Sequence, residues 1–370
     1  MKKLFVITVT LLALAALLIS TALAADEGGI IRRQSESLGI GALESSLSGE
    51  AGELLGGLSV MDSLNVDRGL EKLLSGICGK LGDILKSGLR DAVLIVLIAM
   101  FCSIVTSAFG GNGADYVVLV GVLAIAAVSV TSVNSFIGLG RQTLDELGVF
   151  SKMLLPTLAG AAASSGAITS AAAKYAATVL FMDVMITVSK SVVMPLILAY
   201  ITLSIAEAAT GSDALSGAGG LIKWLAKTIL TVIVIVFVAY LSITGVITGT
   251  SDAVAIRTAK ITISTVLPVV GGIISDASEA VLAGASILRN AVGIFGMLAV
   301  LAICIMPFLR LGVSYLLFKA AGGLAGAIAD KRLNKLIDAF GSAFGLTLGV
   351  VGVAAIMLYV SIISMTRVVV

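Results

Sequence analysis

From Ala92 onward the chain reads as long uncharged stretches separated by short clusters of charge. Runs without Asp, Glu, Lys or Arg cover 92–114, 116–140, 153–173, 191–206, 228–251, 261–275, 290–309 and 339–366. About 20 apolar residues carry a helix through the hydrocarbon core of a bilayer, so several of these runs span outright. Others reach that length by borrowing a residue whose charged head can snorkel, such as Lys190 or Arg310. The same reading takes Lys174 and Lys319 as snorkelling at helix ends. The pattern predicts an all-α fold, a polytopic transmembrane helical bundle.

The region ahead of these runs is different. Residues 25–91 hold eleven acidic and seven basic side chains, and 26–57 is rich in Gly, Ser and Glu, a composition that favours loose order. Further on, Leu70, Leu73, Leu74, Ile77, Leu81, Ile84, Leu85 and Leu89 recur at spacings of three and four, with Lys, Asp and Arg between them. That spacing predicts an amphipathic helix near 69–91. Its apolar face could lie on the outer membrane surface, pack on a partner, or pack on this protein's own extracytoplasmic surface.

At the N-terminus Lys2 and Lys3 precede an apolar run from Leu4 to Ile19, followed by small residues at Ala22 and Ala24. This is the order of a secretory signal peptide, 1–24, with cleavage between Ala24 and Ala25. Residue 25 onward then begins outside the cytoplasm.

The four prolines reveal a period. Pro156 and Pro195 are 39 apart, as are Pro268 and Pro307, and a shift of 112 superposes the pairs. The shift also aligns Leu155 with Leu267, Gly160 with Gly272, Met194 with Met306, and Lys223 with Lys335. The expected organisation is a first transmembrane helix at 92–115, membrane repeat units at 116–227 and 228–339, and a closing helix with a short tail at 340–370. Lys331, Arg332 and Lys335 form the densest basic cluster between spans and belong in the cytoplasm, as do their counterparts Lys223 and Lys227. Four crossings per unit, with one before and one after, give about ten. Against this count, Arg257 and Lys260 would lie outside; three crossings per unit would make the repeats inverted.

Composition agrees with the pattern. Hydrophobic residues make up 58% and charged residues 12%, where a soluble domain carries about a quarter. A net charge of +2 and the absence of any basic run give no support to a nucleic-acid partner. Histidine is absent, which removes the commonest general base and metal ligand. Cys78, Cys102 and Cys304 are too dispersed for a disulfide framework or a metal cluster. There is no phosphate-binding G-x-x-x-x-G-K-[ST] loop and no H-E-x-x-H, so no ATPase or zinc protease is expected, nor any cofactor.

Candidate chemistry sits where the apolar runs are interrupted. The segments after Pro156 (Gly160, Ser164, Gly166) and after Pro268 (Gly271, Gly272, Asp276, Glu279) combine proline, glycine, hydroxyl and acidic residues at corresponding places in the two units. Paired broken helices point to a permeation or binding site, because freed backbone groups need water or a ligand. Tight packing through small residues accounts for the same composition without a substrate. Asp276 and Glu279 share a helix face, with Arg289 ten residues beyond Glu279. An ionisable group at the bilayer centre costs about 2.5–3.5 kcal/mol or more, so such groups pair or line a cavity.

Two stretches carry a resemblance. Ser251-Asp-Ala-Val-Ala-Ile-Arg257-Thr-Ala-Lys260, continuing through Leu267-Pro-Val-Val-Gly-Gly-Ile-Ile-Ser-Asp276-Ala-Ser-Glu279, is similar to the most characteristic block of the stage III sporulation protein AE family. Gly166 to Ala173 and Asn290 to Gly293 fit the same pattern, as does the order of signal peptide, amphipathic segment and spans. The resemblance implies a multi-pass subunit of the mother-cell membrane around the forespore, with its N-terminal region extracytoplasmic. It implies a pore- or gate-like part of the sporulation channel, or feeding apparatus, needed for late forespore development. The implied partners are other subunits of that complex, single-span proteins among them, and a forespore-side channel protein. It brings no catalytic residues. The alternative is a self-sufficient secondary transporter of a small solute that uses intramembrane carboxylates.

Overall fold

The computed structural model describes residues 27–47, 49–109, 113–266 and 271–366, with 27–31, 109, 245–266 and 271–280 described by backbone alone. The signal-peptide segment, Ala24 and Ala25 included, lies outside the described residues. Those residues are helical and contain no strand. Three short helices come first: α1 (Glu27–Ser37), α2 (Ile40–Ser45) and α3 (Gly49–Leu55), then a 3-10 turn at Asp62–Leu64. The long helices are α4 (Val66–Phe109), α5 (Gly113–Ser164), α6 (Ile168–Val188), α7 (Met194–Thr210), α8 (Asp213–Val266), α9 (Gly271–Gly326) and α10 (Lys331–Thr366).

A π-helical turn, Ser189–Val193, joins α6 to α7 without reversing the chain. Its cause is visible in the residues that follow. Pro195 has no N–H to give the preceding turn, and its ring crowds the carbonyl four residues back; a wider turn relieves both. By length and composition, the described residues therefore form six helical rods apolar enough to cross a membrane, and a count of about ten crossings is not confirmed. The pairs expected at 175–190 and 191–209, and at 288–309 and 311–329, are each one continuous rod. Likewise the expected amphipathic helix at 69–91 and residues 92–109 of the first span expected at 92–115 are one helix of 44 residues. The amphipathic part continues the span's axis.

Successive rods run antiparallel. The starts of α5 and α10 meet at one end, where Asp115 and Arg332 pair at 3.2 Å. At the opposite end Thr366, closing α10, lies against Gly293 of α9. α9 and α10 are the most buried rods and the others surround them. Their centre is an aromatic cluster: Phe344 stands edge-on to Phe136 of α5 and Phe318 of α9, each with ring centroids 4.8 Å away. Outward positions such as Phe101, Ile104, Val120, Leu180, Ile235 and Leu316 are exposed apolar side chains. An apolar outer surface of this extent suits lipid and not water.

The short N-terminal helices cap this bundle. Leu43, Leu54, Leu55 and Val60 are buried in the common core. The Ser63 hydroxyl donates to the carbonyls of Val60 at 2.5 Å and Ala291 at 3.2 Å. Residues expected to be loosely ordered are thus largely helical, because the side of α9 gives their few leucines something to bury against.

Candidate functional site

Pro156 lies inside α5, which continues through it to Ser164. Losing one backbone N–H weakens a helix without ending it where neighbouring rods hold both halves. The break comes later, at Ser165–Gly166–Ala167, where Gly166 has φ +99°, a conformation that side chains rarely tolerate. Gly160 serves close packing: a Cβ there would stand 2.7 Å from Leu38, in the N-terminal cap. Ser164 is exposed at the end of α5. Pro268 lies outside the described residues. Gly271, Gly272, Asp276 and Glu279 fall in the first turns of α9, described by backbone alone.

The structure does unite two of the expected features. Arg289 of α9, only 8% exposed, reaches the turn after α5 and donates from Nη1 to the Ser165 hydroxyl at 2.9 Å. Its Nε has no hydrogen-bond partner. Beside it, Lys174 of α6 is buried and donates to the Ser364 carbonyl at 2.6 Å, and the Thr178 and Ser361 hydroxyls are 2.9 Å apart. Arg289, a candidate pore position, thus ties α9 to the α5–α6 turn, and Lys174, expected at a snorkelling helix end, ties α6 to the end of α10.

The other charges expected to snorkel are also paired within the protein. Lys190 donates to Asp145 of α5 at 2.6 Å. Arg310 meets Glu50 of α3 at 2.7 Å, and Lys80 of α4 lies 3.5 Å from the same carboxylate. Lys319 of α9 bonds Asp338 of α10. Each pair ties two elements together.

A second polar site was not legible as one. At the Asp115–Arg332 end, α7, α8, α9 and α10 border an open cavity of about 610 Å³ lined by Tyr200, Ser204, Glu207, Gly219, Gly220, Lys223, Lys319, Gly322, Gly323, Asn334, Lys335 and Asp338. Lys335 pairs with Glu207 at 3.2 Å. Lys223 donates to the Ser342 hydroxyl at 2.9 Å and sits 5.8 Å from the centre of the Tyr200 ring. In the sequence Lys223 and Lys335 mark loops and the repeat. In the structure both stand on helices facing one cavity. Their 112-residue spacing was the available signal; Tyr200 and Asp338 gave none.

Known proteins share this sequence pattern. A family model described as "Stage III sporulation protein AE" matches residues 58–368. The Stage III sporulation protein AE of Bacillus subtilis (strain 168) is 24% identical over 274 residues, covering 72% of this chain and 68% of that protein. No solved structure matches the chain.

Proposed function

The chain belongs to the stage III sporulation protein AE family, and from that membership we propose that it is a membrane-embedded, pore- or gate-like subunit of the sporulation channel between mother cell and forespore. One observation supports a subunit over a self-contained carrier. On α4, Leu70, Leu74, Leu85 and Leu89 form an apolar stripe that is 38–61% exposed. The same helical face continues through Ala92, Ile95 and Ala99, which this chain's own helices bury. A face covered along one half of a rod and bare along the other fits a bundle completed by a neighbour.

Helix length agrees. At about 1.5 Å per residue, α5 is roughly 78 Å long, more than twice the ~30 Å hydrocarbon core. The uncharged halves of α4 and α5 meet at the Asp115–Arg332 end, and their charged halves lie with the N-terminal cap. We place the first end at the cytoplasm, by the basic residues Lys331, Arg332 and Lys335, and the capped end in the space between the two membranes. The duplicated 112-residue unit remains part of this reading, with Pro195 and Pro307 both inside apolar rods.

Deletion of the gene tests the proposal. Vegetative growth is expected to be normal and heat-resistant spores to be lost late in development; normal spore yield refutes the role. The transporter alternative predicts solute uptake by the purified chain in liposomes, abolished by Asp276→Asn.

A further inference from the structure

We propose that the cavity between α7, α8, α9 and α10 is a binding site for a phosphate-bearing ligand, held by Lys223 and Lys319. This goes beyond the channel role and does not depend on it. Three lysines face the cavity against two carboxylates. Lys335 is matched by Glu207 and Lys319 by Asp338. Lys223 has only neutral contacts, the Ser342 hydroxyl and the Tyr200 ring.

The Ser342 oxygen is the telling atom. Lys223 donates to it at 2.9 Å and Lys319 at 3.2 Å. Two ammonium groups touching one oxygen stand no more than about 6 Å apart, where like charges in a partly desolvated site repel appreciably. The neutral hydroxyl does not offset that repulsion, and the one carboxylate near both cations, Asp338, is already bonded to Lys319. An oxyanion between them offsets it, and it accepts a charge-assisted hydrogen bond from each.

The walls allow it. Gly219 and Gly220 on α8 and Gly322 and Gly323 on α9 leave room where side chains would close the cavity. The volume exceeds that of a bare phosphate, so an attached polar group has space within the remaining lining of Ser204 and Asn334. The phosphate could come from a soluble ester or from a lipid headgroup. Its chemistry is common to both.

The purified full-length protein in detergent is titrated at matched ionic strength with sodium phosphate, glycerol 3-phosphate and short-chain phosphatidylglycerol. Isothermal titration is the primary readout; emission of Trp224, the chain's single tryptophan, exposed one residue beyond Lys223, is the secondary one. Saturable binding of at least one probe is expected. Saturation by the lipid alone identifies a headgroup site; saturation by the soluble probes identifies a solute site. Lys223→Gln should weaken binding about tenfold or more, the scale of one charge-assisted contact. Asp338→Asn, which frees Lys319, should tighten it, so the proposal does not hang on one variant's folding. Lys227→Gln, outside the cavity, should bind as the parent does. No saturation by any probe in either readout, or equal binding by Lys223→Gln, overturns the proposal, as does weaker binding by Asp338→Asn.

Discussion

Glu50 and Arg310, 260 positions apart in sequence, meet at 2.7 Å and fasten the N-terminal cap to the middle of α9. Lys80 shares the Glu50 carboxylate, so one acidic residue neutralises cations on two rods. Glu50→Gln should loosen the cap. Both side chains of the Glu50–Arg310 pair are more than a third exposed, so the loss is modest, about 1 kcal/mol or less. It should show as faster proteolysis within residues 27–64, with the bundle intact. Glu53→Gln, whose carboxylate is more exposed and reaches only Lys80, should not change the rate.

The cap also carries an acid-sensitive turn. The Ser59 hydroxyl donates to the Asp62 carboxylate at 2.7 Å and the Ser59 N–H at 3.4 Å. These bonds, with Arg68 and Lys72 nearby, hold the Asp62 carboxyl below its ordinary value. A carboxylate whose pKa is depressed on folding stabilises the fold above its unfolded value, about 4, and that contribution is lost as pH falls through the folded value. Proteolysis around residues 56–66 should therefore quicken below about pH 4, and Asp62→Asn should quicken it at neutral pH and flatten the acid step.

Close packing at the Asp115–Arg332 end depends on Gly121. A Cβ there would stand 2.6 Å from the Cys102 sulfur and 3.3 Å from Leu333. Gly121→Ala should cost about 1–3 kcal/mol in thermal unfolding, the usual penalty for overpacking. Adding Cys102→Ala should restore most of it, because the two positions share the same space. Equal stability of Gly121→Ala and the parent would remove the close approach from the account.

The helical, many-span character of the chain was legible because uncharged runs of spanning length suit a bilayer and cannot be wetted as a soluble surface must be. Their number was not. Arg141 to Lys152, Lys190 and Arg310 read as punctuation between spans, since a charge in isolation needs water. In the structure Asp145 answers Lys190 across 45 residues and Glu50 answers Arg310 across 260. Local pattern cannot show partners at that distance, so single rods read as pairs. The helix break of the Pro156 segment falls at Gly166 and not at Pro156 itself, because the proline's lost hydrogen bond is tolerated inside a packed helix. Arg289 was legible as a candidate, but its partner Ser165 depends on how the α5–α6 turn meets α9.

Labelling separates the two topologies. In a Cys78→Ser background, which removes the one exposed native thiol, cysteines are placed at Ser164 and at Ala327. Six rods put these positions at opposite ends, so in vegetative cells expressing the chain, where the capped end faces outward, an impermeant maleimide should label Ser164→Cys and spare Ala327→Cys. Ten crossings would bury Ser164 within a span and keep Ala327 at the cytoplasmic end, protecting both.

The subunit role is tested most directly by affinity capture of the tagged full-length chain from sporulating cells, solubilised in mild detergent. Other membrane proteins, single-span ones among them, should co-purify in fixed ratio, and converting Leu74 and Leu85 to Glu on the bare stripe of α4 should release them while the bundle stays folded. Capture of the chain alone, with solute uptake after reconstitution by itself, would contradict the account.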